Sequence, residues 1–227
     1  MHLVGVYLNK GRIANVIFFI PIFGIMFLCE PFLLAIKLNP EVAALAQQYC
    51  YGLYAALFFQ AQVDATKNYL NSIRESRVVT ALMFAAMFYH ALTLYFFVDV
   101  FEWGIIGCSW GTMVTYLLNF ILVTTYCGLR SDLRESFFFP TSECFENMWD
   151  YFKIGLPASA MISLEWWSNE LQAVMASYLS VVQGGAMVIL INTLTTLSMI
   201  PMGGAIACTV FVGSSLGEGR PLKAKLY

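Results

Sequence analysis

Six stretches of this chain are each long and apolar enough to cross a lipid bilayer, and this constrains its fold more than any other feature. A membrane helix needs about 20 mostly apolar residues, because about 30 Å of hydrocarbon is crossed at about 1.5 Å per residue. The predicted fold class is an all-α integral membrane protein, a polytopic bundle of about six transmembrane helices. We place segments A to F at residues 13–36, 45–66, 78–98, 104–127, 151–180 and 185–212.

The composition excludes several classes of protein. Hydrophobic residues make up 59% of the chain and charged residues 11%, against about 25% charged residues in a typical soluble domain. A net charge of -2 leaves no basic stripe for nucleic acid. The sequence contains no HExxH, no GxSxG, no Walker loop and no clustered metal ligands. We therefore predict that the chain is not an enzyme and holds no cofactor.

The basic residues predict an orientation in the membrane. Eleven of the 12 Lys and Arg residues lie on one side of the six predicted segments, and only Lys37 lies on the other. By the positive-inside rule, the start of segment A, the connection at 128–150 and the C-terminus face the cytoplasm. The sequence favours a plasma membrane or a vacuole-like membrane and does not choose between them.

Two carboxylates within segment E are the strongest candidates for function. If hydrocarbon begins near Ile154, Glu165 lies about 16 Å deep and Glu170 about 24 Å deep. On a straight helix the two side chains are about 140° apart, whereas Asn169 is only about 40° from Glu165. A carboxyl group in a dry setting can exchange a proton or pair with a bound cation. The alternative is that Glu165 forms a structural hydrogen bond inside the bundle.

Other residues of segments E and F could line a binding cavity. Trp166 and Trp167 offer flat π surfaces suited to organic cations, or else belong to an interfacial aromatic belt. Asn192 heads a polar cluster in segment F that either lines a cavity or bonds across helices. Pro157 and Pro201 are predicted helix kinks.

Three weaker candidates lie in the first half of the chain. His90 is central in segment C, where it either packs among aromatic side chains or carries a proton. Glu30 lies near the outer end of segment A, where it either reaches the interface or takes part in function. Asp64 is predicted to form an ordinary interfacial ion pair with Lys67, three residues further on.

Short motifs in segments E and F resemble those of eukaryotic multidrug and toxin extrusion (MATE) transporters. Residues 155–159 read GLPAS and residues 164–170 read LEWWSNE, which is similar to the family's GLPSA and EWWxxE. Residues 200–219, from IPMGG to VGSSLGEG, resemble its PxG and RVGNxLGAG. Phe211 and Ser214 depart from the family's Arg and Asn, so no role is transferred to those two positions.

Two further motifs extend the resemblance to nearly the whole chain. Residues 38–43, LNPEVA, resemble the family's QDPEVA, and residues 5–10, GVYLNK, resemble its GxYLQR. The resemblance implies a two-lobe, twelve-helix antiporter fold of which this chain matches the third to eighth helices. Residues 1–130 would be the end of the first lobe, 131–150 the cytoplasmic connection and 151–227 the start of the second lobe. Met1 would then mark a fragment or an incomplete gene model.

The resemblance also implies a function. It is export of organic cations, including multidrug and xenobiotic substrates, coupled to inward flow of protons or sodium ions. Glu165 and Glu170 match the family's acidic positions linked to cation binding and coupling. The implied partners are the bilayer, a small organic-cation or amphipathic substrate and a chain that supplies the missing helices. The alternative is a truncated, non-transporting membrane protein that associates with a full-length partner.

Overall fold

The computed structural model describes residues 2–35, 40–133 and 135–226, apart from the side chains of Ser177 and Val181. This part of the chain is nearly all helical and contains no strand. Lys37, residues 38–39 of the LNPEVA motif, Arg134 and Met1 lie outside the described residues. The helices are α1 (His2–Phe27), α2 (Cys29–Ala35), α3 (Pro40–Ser72), α4 (Ser76–Tyr95), a π-helical segment (Phe96–Val100), α5 (Gly104–Leu129), α6 (Met148–Leu179), α7 (Val181–Gly217) and α8 (Pro221–Ala224), with 3-10 turns at Ser131–Leu133 and Ser142–Cys144.

All six predicted segments overlap a long helix, which confirms the all-α fold class. By length and apolar composition, four helices in the described part of the chain could cross a membrane: His2–Phe27, Ser76–Val100, Gly104–Leu129 and Val182–Gly217. Helices α3 and α6 contain segments B and E and have 33 and 32 residues. They are long enough to span a bilayer but are too polar to meet the same criterion by themselves.

The predicted start of segment A is wrong, because α1 begins at His2 rather than at residue 13. We expected Lys10 and Arg12 to precede the helix, and both lie within it. The Lys10 ammonium donates to the carbonyl of Glu146 at 2.6 Å, and the Arg12 guanidinium donates to the Thr66 hydroxyl at 2.9 Å. Lys and Arg are good helix formers, so their charge limits an apolar segment without ending the helix.

Segment A is also divided in two by a proline. Helix α1 ends at Phe27, Leu28 forms a turn, and α2 begins at Cys29. Pro31 has no N–H group, and in a continuous helix its ring would collide with the carbonyl of Phe27, four residues earlier. The helix therefore breaks where Pro31 cannot donate a hydrogen bond to the carbonyl of Phe27.

A glutamine from α3 bridges the break. In a continuous helix the N–H of Glu30 would donate to the carbonyl of Met26. Instead the Gln47 side chain accepts from Glu30 N at 3.0 Å and donates towards Met26 O at 3.4 Å. Tyr54 supports the same carbonyl, since its hydroxyl donates to Met26 O at 2.9 Å. The N–H of Glu30 and the carbonyl of Met26 are therefore satisfied by two side chains of one neighbouring helix.

The chain divides into two compact units, Met1–Glu146 and Asn147–Tyr227. In the first unit α3 is central and packs against α1, α2, α4 and α5. The buried core joins α1, α3, α4, α5 and the connection, and it consists of Leu8, Val63, Tyr69, Leu70, Val79, Val123, Cys127 and Leu133. The lobe boundaries at 1–130, 131–150 and 151–227 remain a prediction.

The connection after α5 is packed against the first unit as far as Glu146. Asn9 donates its side-chain amide to the carbonyl of Phe138 at 2.9 Å. Ser136 is fully buried, and its hydroxyl lies 2.5 Å from that of Tyr69. Gly5 is required here, because a Cβ atom at this position would lie 2.0 Å from the carbonyl oxygen of Ser136. The predicted connection is therefore packed against the helices of the first unit rather than forming a free loop.

An arginine just beyond α5 ties this helix to the turn between α3 and α4. The Arg130 guanidinium donates to Asp132 at 2.7 and 2.5 Å, to the Tyr126 hydroxyl at 2.8 Å and to Glu75 at 3.2 Å. Pairing with Arg130 lowers the pKa of Asp132. The resulting stabilisation is present above the ordinary aspartate pKa and is lost as the pH falls through the lowered value.

The second unit is a helical hairpin. Ser180 ends α6 and caps α7, since its hydroxyl accepts from the N–H of Gln183 at 3.1 Å. Such a cap satisfies one of the free donors of the first turn. The connection between the two long helices is thus a single residue, which holds them side by side.

We expect Gly5→Ala to lower the free energy of unfolding by about 1 to 3 kcal/mol, because the added methyl group collides with the Ser136 carbonyl. Gly24→Ala is the matched control in the same helix, since nothing lies within 4 Å of a Cβ atom there. The control should be neutral or slightly stabilising. Detergent unfolding followed by circular dichroism measures both variants. Equal unfolding midpoints would contradict the packing of the connection against α1.

Candidate functional site

Helix α6 places both acidic candidates in its middle region. The helix runs without interruption from Met148 to Leu179 and includes Pro157. Its length is about 48 Å, with Glu165 about 26 Å and Glu170 about 33 Å from its start. Glu165 is thus the more central of the two carboxylates.

Neither carboxylate has a positively charged neighbour between Ile154 and Gly217. Over this stretch Glu165 and Glu170 are the only charged residues of the sequence. Within the described residues neither side chain takes part in an ion pair. Both side chains are exposed. Lys153 of α6 is already paired with Asp150, so these long helices offer the two acids no unpaired cation from Lys153 to Gly217.

The continuity of α6 preserves the angular relation expected from the sequence. Glu165 and Glu170 lie about 140° apart around the helix axis, and Asn169 follows Glu165 by about one turn. Trp166 and Trp167 have 50% and 65% of their surface exposed. The helix thus brings Asn169 next to Glu165 and places Glu170 on another face.

Helix α7 carries the remaining candidates of this unit. Asn192 is exposed, and its backbone carbonyl accepts the hydroxyl of Thr196 at 2.8 Å. Thr193 likewise donates to its own helix, at Ile189 O. These threonine hydroxyl groups bond locally rather than across helices. Pro201 lies inside α7, as Pro157 lies inside α6, and the kinks remain a prediction.

The two secondary candidates lie in the first unit. His90 is half-buried in α4, and its Nδ1 atom lies 2.9 Å from the Thr115 hydroxyl of α5. Glu30 is in the first turn of α2, where its backbone N–H is bound by Gln47. Asp64 pairs with Lys67 at 2.8 Å, which confirms that prediction.

Sequence reasoning missed the polar positions of α5. Thr115 and Asn119 are 3% and 5% exposed, and the Tyr89 hydroxyl of α4 donates to the Asn119 side chain. Gly111, Thr115 and Asn119 recur every four residues in a helix without charge. This spacing puts them on one face and was the signal available in the sequence.

The described fold is similar to that of a solved transporter. The crystal structure of the eukaryotic MATE transporter AtDTX14 superposes with a TM-score of 0.90 at 23% sequence identity. The match covers 99% of this chain and 50% of that chain. At this level of identity the similarity establishes the fold.

Curated relatives extend the similarity to sequence. The chain is 27% identical over 227 residues to multidrug and toxin extrusion protein 1 of Danio rerio, covering 98% of this chain and 38% of that protein. It is 29% identical to the protein of the same name from Oryctolagus cuniculus, covering 98% of this chain and 39% of the relative. The family model described as MatE matches residues 157–227. The chain is thus similar to MATE transporters in fold over 99% of its length and in sequence over 98% of its length.

MATE proteins are membrane transporters and not enzymes. The matched region begins at Pro157 and includes Glu165, Glu170 and Asn192. This chain spans about two fifths of the length of the curated MATE relatives named above.

Proposed function

We propose that this chain is part of a secondary active antiporter that exports organic cations or other amphipathic solutes. The coupling ion in this proposal is a proton or a sodium ion moving inwards. The observation that carries the proposal is the pair Glu165 and Glu170, which are the only charges between Ile154 and Gly217.

These two carboxylates matter for an electrostatic reason. An acidic side chain at the centre of a membrane helix costs about 2.5 to 3.5 kcal/mol on insertion scales, unless a partner neutralises it or water reaches it. Helices α6 and α7 supply no cationic side chain from Ile154 onwards. A proton, a metal cation or an organic cation would fill that role, and all three are species that an antiporter moves.

Competition for one carboxylate would produce exchange. A proton bound to Glu165 removes the charge that attracts a cation, and a bound cation favours loss of that proton. Trp166 adds an aromatic face for an organic cation, and the Asn169 amide lies on the same side of the helix as Glu165. Glu170, on another face, would bind a second proton or guide the solute.

The whole exchange cycle would require more helices than this chain contains. The chain covers 50% of the AtDTX14 chain, and alternating access uses two lobes that move against each other. In the proposed topology the start of α1, the connection at 128–150 and the C-terminus face the cytoplasm. The membrane is a plasma membrane or a vacuole-like one.

A second candidate function is association with a full-length partner without independent transport. It is favoured by α6, because the described side chains of this helix are exposed or only half-buried. A 32-residue helix with so little covered surface offers its faces to further helices.

Glu165→Gln should weaken binding of tetraphenylphosphonium to the chain in nanodiscs by about tenfold, the factor for each 1.4 kcal/mol of lost attraction. Glu135→Gln removes an exposed acid of the connection and should leave binding unchanged. Unchanged binding in Glu165→Gln would reduce Glu165 to a structural residue.

The mass of the detergent-solubilised particle separates the two candidate functions. Independent exchange by a single chain would require proton-driven uptake into proteoliposomes at the mass of one 25.5 kDa protomer. The partner hypothesis predicts uptake only when a full-length relative is co-reconstituted, together with a larger particle. Uptake by the isolated protomer would rule out the partner hypothesis.

Cysteine labelling tests the orientation. In a variant without native cysteines, an impermeant maleimide should label Asp99→Cys on intact cells and Phe139→Cys only after permeabilisation. Phe139 is 92% exposed in the connection, whereas Ser136 is fully buried and would be a poor probe. The reverse pattern would overturn the topology.

A further inference from the structure

A second group that can bind a proton lies in the first unit, between α4 and α5. The Nδ1 atom of His90 lies 2.9 Å from the Thr115 hydroxyl, and the Thr93 hydroxyl lies 3.0 Å from the same oxygen. Thr115 is also 2.9 Å from the carbonyl of Gly111, and Thr93 is 2.9 Å from the carbonyl of His90. Four possible hydrogen bonds thus depend on the protons of only two hydroxyl groups and one imidazole ring.

Counting these protons assigns the state of the ring. Each threonine has one proton to donate, while its oxygen can accept two hydrogen bonds. If Nδ1 carries a proton, His90 and Thr93 both donate to Thr115, and Thr115 donates to Gly111, so three contacts are satisfied. If Nδ1 has a lone pair, Thr115 must donate to it, and only two contacts can be satisfied. The arrangement therefore favours the neutral tautomer with Nδ1–H.

This tautomer leaves Nε2 as the basic atom of the ring. Among the described residues, no hydrogen bond or ion pair involves Nε2. Adding a proton there disturbs none of the three satisfied contacts, and it strengthens the Nδ1–H donor because the ring becomes cationic. We propose that His90 is a proton-binding site of the first unit, with Nε2 as the atom that takes the proton.

Few charged residues lie near His90 in the sequence of α4 and α5. Between Arg77 and Asp99 the sequence has no Asp, Glu, Lys or Arg, and α5 has none from Gly104 to Leu129. Asp99, in the π-helical segment, follows His90 by about 14 Å along the axis. On α3, Asp64 is already paired with Lys67 at 2.8 Å. Glu41 lies in the first turn of α3 and Arg77 at the start of α4. The other titratable groups on α4, α5 and α3 are thiols and phenols: Tyr89, Tyr95, Cys108, Tyr116, Tyr126, Cys127, Tyr49, Cys50, Tyr51, Tyr54 and Tyr69.

A protonated His90 would therefore be a cation without a neighbouring carboxylate in the α4 and α5 pair. A charge in such a setting favours any arrangement that hydrates it or brings an acid towards it. A role of His90 in coupling rests on the proposed transport function, whereas proton binding itself does not.

The chain offers a direct spectroscopic test, because His2 and His90 are its only histidines. Nitrogen NMR of the ¹⁵N-histidine-labelled protein in nanodiscs reports the tautomer and the titration of each ring, and His2→Gln assigns the signals. We expect the neutral His90 ring to be the Nδ1–H tautomer and the proton that is added on acidification to bind at Nε2. A neutral ring in the Nε2–H form, or a ring that gains no proton while the fold is intact, would overturn the proposal.

Two threonine variants test the cause of the tautomer. Thr115→Val removes the acceptor for Nδ1–H and should move His90 towards the Nε2–H form. Thr112→Val is the matched control, since this hydroxyl donates to Cys108 O on its own helix. An unchanged tautomer in Thr115→Val would contradict the proposal. The NMR result is independent of cation binding, so a failure at Glu165 and a failure at His90 remain distinguishable.

Discussion

Hydrocarbon offers no partner to a polar group, and this constraint shapes both units of the chain. In the first unit the solution is internal. Asn9 and Lys10 donate to carbonyls of the connection, and Arg12 donates to Thr66. Gln47 replaces a backbone hydrogen bond where Pro31 breaks the helix. Because each of these groups finds a partner within the unit, the polar residues of α1 and α3 hold the helices together.

The second unit does not pair its acidic groups internally. Its two long helices have no cationic side chain from Ile154 to Gly217, while Glu165 and Glu170 lie in the middle of α6. Lys10 and Arg12 of the first unit each form a hydrogen bond, whereas the acids of the second unit form no ion pair among the described residues. This contrast is the physical basis of the proposed exchange. An acidic group that the protein does not pair with a positive charge has an affinity for mobile cations.

The sequence predicted the type of the long elements well and their ends poorly. Segments B, D and F lie within single helices, while segment C runs into the π-helical segment and segment E ends one residue beyond α6. Segment A was placed too late in the chain because Lys10 and Arg12, which limit an apolar run, are good helix formers. The folding of the connection onto α1 was hidden, since it depends on the close fit of Gly5 and Ser136. Among site residues, the spacing of Glu165 and Glu170 followed from helical geometry, whereas the hydrogen bonds of His90 required a second helix.

The single-residue connection between α6 and α7 has a consequence for how the protein enters the membrane. Helix α6 is too polar to meet the criterion for a spanning helix, whereas α7 from Val182 meets it with a mean hydropathy of 1.6. In the proposed topology, insertion of α6 into the membrane by itself would be unfavourable, because each acidic residue adds a few kcal/mol to the free energy of insertion. With only Ser180 between them, the two helices partition as a pair, and the apolar surface of α7 compensates the acids of α6. Biogenesis of the acidic helix would thus depend on completion of its neighbour.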